Sequence, residues 1–260
     1  MSSNRHGFSN EENIANYLNN QKFFNLNENM QNFLCFIFER QILANETILS
    51  DLTQKIEGKN QKPDIWIKIG NEIKLVSVKE GSGNSVHQEP FKDFCKFLED
   101  INVSEETVNH LKLYHYGDDT LDGNGEARLS TSDIKTKYQS KILSVNTELN
   151  SPDTLIKILY RVLFAGVFKK PIIVDAVYHG SVDNGIYANR EEIIDYLIDN
   201  ANVSEMSGIR FSELTYQPWT RDQHRTAAHP ERRYVMQVKW GSMTNCIRTI
   251  ARRRNNNDNK

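Results

Sequence analysis

Features that mark several classes of protein are scarce in this sequence. The chain has three cysteines in 260 residues, Cys35, Cys95 and Cys246, and none belongs to a CxxC pair, which disfavours a disulfide scaffold. The mean hydropathy of -0.61 leaves no apolar run long enough to cross a bilayer. The first residues also lack the apolar stretch of a secretory signal. These absences predict a protein of the reducing cytoplasm.

Neither sign of charge dominates the chain, but the two signs are unevenly distributed. The sequence has 32 Lys and Arg against 34 Asp and Glu, a net charge of -2. Eleven of the basic residues and four of the acidic ones lie between Arg210 and the end, so this last fifth carries about +7 and the rest about -9. A basic segment on an acidic body is typical of a surface that binds a polyanion, although a solvated charged face gives the same pattern.

The periodicity of apolar residues predicts an α/β fold. With 38% hydrophobic and 10% aromatic residues, the chain has the composition of an ordinary globular protein. Helices are expected in several stretches, among them residues 28–43, which are apolar on most faces. Strands are expected at residues 65–69, 72–79, 171–178, 209–216 and 233–240.

No internal repeat or linker divides the sequence. It therefore favours a single α/β domain over residues 1–251, with a mainly helical insertion at about 104–168 and a basic region at about 210–251. The polar residues 252–260, rich in Asn and Arg, are expected to form a disordered tail.

A hairpin before this insertion gathers polar residues at one end. Apolar residues alternate from Ile65, and Gly70 and Asn71 supply a two-residue turn. In that register the numbers of paired residues sum to 141, so Asp64 lies opposite Ser77. Lys79 follows two residues later on the same strand face. The hairpin therefore predicts a compact cluster of these three polar side chains.

The same residues resemble the PD-(D/E)XK nuclease superfamily, to which many restriction endonucleases belong. Its signature is Pro-Asp, a hairpin, and then an acid, any residue and Lys, which corresponds here to Pro63-Asp64 and Ser77-Val78-Lys79. The resemblance implies the restriction-endonuclease-like fold, a mixed central sheet flanked by helices.

The resemblance also implies an activity. The implied protein is a metal-dependent endonuclease of the type II restriction or phage-defence kind. Such an enzyme hydrolyses phosphodiester bonds in double-stranded DNA. In this superfamily carboxylates hold Mg²⁺, for which Mn²⁺ substitutes, and the Lys orients or activates the nucleophile. By this resemblance Asp64 is a metal ligand and Lys79 acts at the nucleophile.

One position departs from the signature. Ser77 occupies the place of the motif acid, and a hydroxyl cannot replace a carboxylate as a ligand. Some restriction enzymes of the superfamily have Ser there and use a Glu from the following helix. That resemblance points to Glu89, expected at the start of the next helix, as a catalytic residue and second metal ligand, with Glu80 as the alternative. An inactive DNA-binding module and an RNA-directed nuclease stay open as other functions.

The segment 218–240 is the expected nucleic-acid surface, because it combines an aromatic residue with basic side chains suited to phosphate and guanine contacts. The residues expected to contact nucleic acid are Arg221, His224, Arg225, Arg232, Arg233 and Lys239. A structural strand with an arginine-rich flank would have the same composition. A homodimer is a further expectation, because twofold symmetry suits the cutting of both strands of a palindrome.

Overall fold

The computed structural model describes residues 3–56, 58, 60–81, 85–125, 127–219 and 230–257. Within these residues the helices are α1 (Ser3–Leu18), α2 (Glu28–Phe38), α3 (Phe91–Asp100), α4 (Glu105–Tyr116), α5 (Thr131–Lys137), α6 (Gln139–Leu149), α7 (Pro152–Leu159), α8 (Arg190–Asp199) and α9 (Met243–Asn257). The strands are β1 (Gln21–Lys22), β2 (Thr47–Leu52), β3 (Ile65–Ile69), β4 (Glu72–Lys79), β5 (Ser85–Pro90), β6 (Ala176–Gly180), β7 (Gly185–Asn189), β8 (Arg210–Phe211), β9 (Leu214–Pro218) and β10 (Val235–Lys239).

The chain forms two compact units, whereas the sequence favours one domain with a helical insertion. Unit 1 comprises Met1–Asn84, Leu163–Tyr196 and Met243–Lys260, and unit 2 comprises Ser85–Val162 and Leu197–Ser242. Residues 104–168, predicted to be mainly helical, contain α4 to α7. Strand β5 precedes these helices and pairs with β10, which follows them. This pairing gives unit 2 a sheet of its own.

The sheet of unit 1 has the strand order β1-β2-β3-β4-β6-β7. Strands β4 and β6 run parallel, whereas the other neighbouring pairs are antiparallel. Helices α1, α2 and α9 pack against its strands. The predicted α/β class, with a mixed central sheet flanked by helices, is confirmed.

The apolar core of unit 1 lies between one face of this sheet and the helices α1 and α2. Side chains alternate along a strand, so Ile65, Ile67 and Ile69 all project to that face. They form one cluster with buried residues of the neighbouring elements, including Ile14, Leu18, Phe33, Leu34, Val76 and Val78. Asp64, Ser77 and Lys79 have the opposite parity on β3 and β4, so the strand alternation directs them away from the apolar cluster.

Unit 2 has an antiparallel sheet in the order β5-β10-β9-β8 and an aromatic core. Phe91 stacks on the imidazole of His115 with 3.7 Å between ring centroids. The His115 Nε2–H donates to the carbonyl of Arg233 (2.8 Å), and Nδ1 accepts from the Tyr216 hydroxyl (2.6 Å). Burial lowers the pKa of His115 to about 3, so the neutral ring is part of the core.

Two expected elements of unit 2 differ from the sequence prediction. Helix α3 begins at Phe91 with Pro90 as its N-cap, close to the predicted start, but the residues before it form strand β5. Glu89 therefore lies in a strand, where the sequence placed it at a helix start. The single strand expected at 209–216 is the hairpin of β8 and β9, which turns at Ser212 with a φ of 54°.

The predicted disordered tail is wrong for residues 252–257, because α9 continues through them to Asn257. Arg254 fixes the end of this helix. Its guanidinium donates to Glu192 at 2.7 and 2.9 Å and lies 3.8 Å from the ring centroid of Phe36. Residues 258–260 lie outside the described part of the chain.

The three cysteines, all within the described residues, form no disulfide; Cys95 and Cys246 are buried and Cys35 is partly exposed. Burial raises the pKa of the Cys95 thiol to about 12, so this cysteine behaves as a small apolar residue, as the sequence predicts. None of the helices that the structure describes combines the length and the apolar character needed to span a bilayer.

Candidate active site

The hairpin has the predicted register. Ile65 pairs with Val76 and Ile69 with Glu72, so paired residue numbers sum to 141. The backbone continues this pattern one residue beyond the ladder, since the Asp64 N–H donates to the Val76 carbonyl at 2.9 Å. The pairing brings Asp64 to the end of β4 where Ser77 and Lys79 lie.

One carboxylate oxygen of Asp64 accepts the hydrogen bonds that hold the cluster together. Asp64 Oδ2 accepts hydrogen bonds from the Ser77 hydroxyl (2.9 Å), the Val78 N–H (2.7 Å) and Lys79 Nζ (2.8 Å). Lys79 Nζ also donates to the Val78 carbonyl at 2.9 Å, which holds the ammonium beside the carboxylate. The three residues that the sequence predicts to converge are therefore in direct contact.

The cluster is open on one side. The side chains of Lys79 and Asp64 keep 24% and 18% of their surface exposed, enough for a substrate to reach them. All the side-chain hydrogen bonds that described residues make to Asp64 end on Oδ2, so Oδ1 has no donor among them. Ser77 is buried, and its hydroxyl orients the Asp64 carboxylate instead of facing solvent.

A second carboxylate, which the sequence prediction did not include, interacts electrostatically with this cluster. Glu11 lies on α1, half-buried, and burial raises the pKa of its carboxyl to about 7. The negative charge of Asp64 adds to this rise in pKa, and the positive charge of Lys79 opposes it. Glu11, Asp64 and Lys79 thus form one electrostatic group.

The sequence does carry a signal for Glu11. Together with Ile14, Ala15 and Leu18, which are buried, it has the spacing i, i+3, i+4 and i+7 of one helix face. An acid within an apolar helix face is expensive to bury unless a charge or a ligand compensates it. The spacing alone therefore marks Glu11 as an unusual residue of this helix.

Glu89, the predicted second metal ligand, lies in unit 2, whereas Asp64, Ser77 and Lys79 lie in unit 1. It is 3% exposed on β5 of unit 2, where Arg161 donates to both of its carboxylate oxygens and His87 bonds Oε1 at 2.8 Å. Burial alone would raise the pKa of Glu89, but the hydrogen bonds from His87 and Arg161 lower it overall. Its oxygens are committed to a buried ion pair and not to a ligand. Glu80, the alternative, is exposed just after β4.

The expected nucleic-acid residues divide into three groups. Arg221, His224 and Arg225 lie outside the described residues. Arg233 is 5% exposed and forms an ion pair with the buried Asp118, so its guanidinium stabilises the interior and is not a surface contact, contrary to the prediction.

Arg232 and Lys239 remain near the surface. Arg232 stacks over the Trp219 ring with 4.5 Å between the guanidinium carbon and the ring centroid. Lys239 is exposed at the end of β10. These two basic residues stay candidates for contact with a polyanion.

The chemistry of the donors at the Asp64 cluster decides which metal would fit. Across the described residues, no group of three or more His, Cys, Asp and Glu is arranged to hold an ion. The oxygens that could serve as metal ligands are Asp64 Oδ1, the Glu11 carboxylate and the Val78 carbonyl. All three are hard donors. They suit Mg²⁺, which keeps several waters and needs only one or two carboxylates, better than Zn²⁺.

The comparisons with known proteins identify the fold. No family model matches the chain. No curated protein matches it either. Among solved structures, the chain is similar to the restriction endonuclease MspI in complex with its cognate DNA, with a TM-score of 0.56 and 14% identity. The match covers 92% of this chain and 93% of the other, so the restriction-endonuclease-like fold that the motif implies is confirmed.

Proposed function

We propose that this protein is a metal-dependent DNA endonuclease of the type II restriction or phage-defence kind. The observation that carries the proposal is the contact of Lys79 Nζ with Asp64 Oδ2 at 2.8 Å, at the open end of the central hairpin. A carboxylate and an ammonium fixed beside each other are the groups that phosphodiester hydrolysis needs. The likeness to an endonuclease bound to DNA supports the substrate class.

Each residue of the cluster has a distinct role in this proposal. Lys79 holds its ammonium where it offsets the negative charge that develops on the phosphodiester and hydrogen-bonds the attacking water. Ser77 and the Val78 N–H fix the Asp64 carboxylate by bonding Oδ2, which leaves Oδ1 available to a ligand. Pre-positioned groups of this kind lower the reorganisation needed during the reaction.

Asp64 and Glu11 are the residues that would hold Mg²⁺. Two carboxylates near one Lys have an excess of negative charge, and burial with this repulsion raises the pKa of Glu11 to about 7. A divalent cation would relieve the repulsion, which is why the donor set fits one. Bound Mg²⁺ supplies Lewis-acid polarisation of the scissile phosphate. Mn²⁺ prefers the same oxygen ligands and is expected to substitute.

The proposal is tested by incubating the purified chain with plasmid DNA and with phage DNA, in Mg²⁺, in Mn²⁺ and in EDTA. We expect discrete fragments with either metal and none with EDTA. Lys79→Ala should abolish cleavage, whereas Lys74→Ala, which removes a lysine from the same strand away from the cluster, should cut as the wild type does. Equal loss in both variants would contradict the assigned site.

One observation favours a second function, that of an inactive DNA-binding module on the same fold. Ser77 stands where the signature has an acid, so the motif supplies one carboxylate fewer. Intact DNA in every metal, together with salt-sensitive binding, would establish the binding module. Structured RNA included as a parallel substrate tests whether the chain is an RNA-directed nuclease instead.

A further inference from the structure

A separate cavity of about 270 Å³ lies wholly within unit 2. Its described lining includes three cations, Arg128, Lys135 and Arg210, and two tyrosines, Tyr114 and Tyr216, and none of the lining residues is Asp or Glu. This concentration of positive charge is unusual for a chain with a net charge of -2. The lining indicates an anionic ligand.

Arg128 is the most recessed of the three cations. It is 8% exposed, and among the described residues its donors reach only the carbonyls of His115, Leu129 and Tyr114, at 3.3 to 3.5 Å. Burial lowers the pKa of this guanidinium, yet an arginine stays charged. A buried cation whose bonds reach only neutral carbonyls is costly, and an anion entering the cavity would offset that cost.

The other two cations converge on the same space. Lys135 Nζ donates to the Ser207 hydroxyl at 3.3 Å, and within the described chain neither Lys135 nor Arg210 pairs with a carboxylate. Burial raises the pKa of the Tyr114 hydroxyl, while the charges of Arg128 and Arg210 and the Ile209 N–H lower it. Both guanidinium groups therefore act on the same hydroxyl at the cavity wall.

One wall of the cavity is fixed by buried amides. Asn146, which is fully buried, donates to the Gly208 carbonyl at 2.9 Å and accepts from the Arg210 N–H at 3.0 Å. Asn150 donates to the Arg210 carbonyl at 3.0 Å. A Cβ at Gly208 would lie 3.2 Å from the Tyr114 hydroxyl oxygen, so glycine keeps this space open. The binding groups are thus held in place before a ligand arrives.

We propose that this cavity binds a phosphate monoester of mononucleotide size. The three cations can each bond one terminal oxygen of a phosphate dianion, which gives strong charge-assisted hydrogen bonds. A phosphodiester within a duplex carries one negative charge and only two unsubstituted oxygens, so it offers the three cations one charge and one oxygen fewer. The volume lies near the lower end of small-molecule sites, about 300 Å³.

Two sources could supply this phosphate, a free nucleotide or the 5′-phosphate end of a nucleic acid. The cavity belongs to unit 2 alone, whereas the Asp64 cluster belongs to unit 1. The inference therefore does not depend on the proposed nuclease activity. Binding is to be measured in EDTA, so that no metal at the Asp64 cluster contributes.

The experiment is isothermal titration of the full chain with inorganic phosphate, with nucleoside 5′-monophosphates and with the corresponding nucleosides. We expect the phosphate-bearing ligands to bind and the nucleosides not to. Lys135→Ala and Arg210→Ala should each weaken binding about tenfold or more. Lys137→Ala removes an equal charge from the same helix, where Lys137 pairs with Asp119 outside the cavity, and should change affinity less than about twofold.

Absence of saturable binding up to about 10 mM ligand would overturn the proposal. So would equal affinities in the wild type, Lys135→Ala and Arg210→Ala, or binding of nucleosides as tight as that of their monophosphates. Competition by a 5′-phosphorylated oligonucleotide, but not by its 5′-hydroxyl form, would identify a nucleic-acid end as the source. Mononucleotide binding without that competition would identify the free nucleotide.

Discussion

Among the single residues, Asp64 determines the geometry of the candidate site, because one of its oxygens accepts all three side-chain and backbone donors around it. The buried Ser77 hydroxyl is one of those donors, which gives this position a role that does not require metal ligation. A serine there can serve the site by holding the carboxylate in place, while Glu11 on α1 brings a second acid.

Replacing Ser77 tests this positioning role. Ser77→Ala removes one hydrogen bond to Asp64 Oδ2, so we expect the free energy of unfolding to fall by about 1 kcal/mol. Cleavage should fall about tenfold or less, because the Val78 N–H and Lys79 still hold the carboxylate. Denaturant unfolding and initial cleavage rates measure the two effects. A variant as inactive as Lys79→Ala would show that the hydroxyl takes part in the reaction directly.

Glu11 makes stability depend on pH. Its folded-state pKa is about 7, raised from 4.5 chiefly by burial, so the folded protein binds this proton more tightly than the unfolded chain. The free energy of unfolding should therefore fall as pH rises from about 4.5 to about 7, and the loss should persist above pH 7. Glu11→Gln should remove this loss and stabilise the metal-free protein at pH 8 by about 1 kcal/mol.

Denaturant titrations across that pH range, in EDTA, measure the effect. Glu12→Gln, an exposed neighbour on the same helix, is the matched control and should follow the wild type. Added Mg²⁺ should stabilise the wild type more than Glu11→Gln. If the free energy of unfolding of Glu11→Gln followed that of the wild type at every pH, Glu11 would not interact with Asp64 and Lys79 as proposed.

Among the elements, those built from local patterns were predictable and those built from distant pairings were not. The hairpin of β3 and β4 follows from alternation around a Gly-Asn turn, so its register and the Asp64, Ser77 and Lys79 contacts were predictable. Strand β5 forms by pairing with β10, about 150 residues away, and no local pattern near Glu89 encodes that partner. The helix expected to start near Pro90 begins at Phe91, yet Glu89 just before it lies in a strand, where it forms an ion pair with Arg161.

Helix α9 shows how a low-complexity segment becomes ordered. The run of Arg and Asn at 252–257 lacks an apolar face, but Arg254 reaches the Glu192 carboxylate and the Phe36 ring. The composition of this segment does not reveal that residues elsewhere in the chain bind Arg254.

The anchoring of α9 can be measured by substitution. Arg254→Ala should lower the free energy of unfolding by about 1 to 3 kcal/mol, because a partly buried ion pair and a cation–π contact are lost together. Arg252→Ala, exposed on the same helix, should change it by less than about 0.5 kcal/mol. Thermal or denaturant unfolding compares the two. Equal effects would mean that the Arg254 contacts do not hold the helix.

In the molecule as a whole, the charge asymmetry is the feature that bears on nucleic-acid binding. The segment from Arg210 onward carries about +7, although Arg233 is withdrawn into a buried pair with Asp118. Counting arginines in the sequence does not distinguish an exposed arginine, which can contact a polyanion, from a buried one in an ion pair, because burial depends on the folded chain. Lys239 and Arg232 remain at the surface to contribute to a long-range attraction.

This charge predicts a strong salt dependence of DNA binding. The association constant should fall at least about tenfold between 50 and 200 mM salt, since released counterions oppose binding. Lys239→Ala should make the slope of log K against log salt shallower by about 0.9, whereas Lys96→Ala, exposed on α3, should leave it unchanged. Fluorescence anisotropy with a labelled duplex measures both slopes. A salt-independent affinity would contradict a phosphate-binding surface.

The claim that unites the fold, the cluster and the proposed activity is that Asp64 is required for hydrolysis and not for folding or DNA binding. The most direct test compares DNA cleavage in Mg²⁺ by the wild type, Asp64→Asn and Asp51→Asn, which replaces an exposed acid on β2. We predict that Asp64→Asn binds the same DNA but cuts it at least about a hundredfold more slowly, while Asp51→Asn cuts normally. Undiminished cleavage by Asp64→Asn would contradict the account.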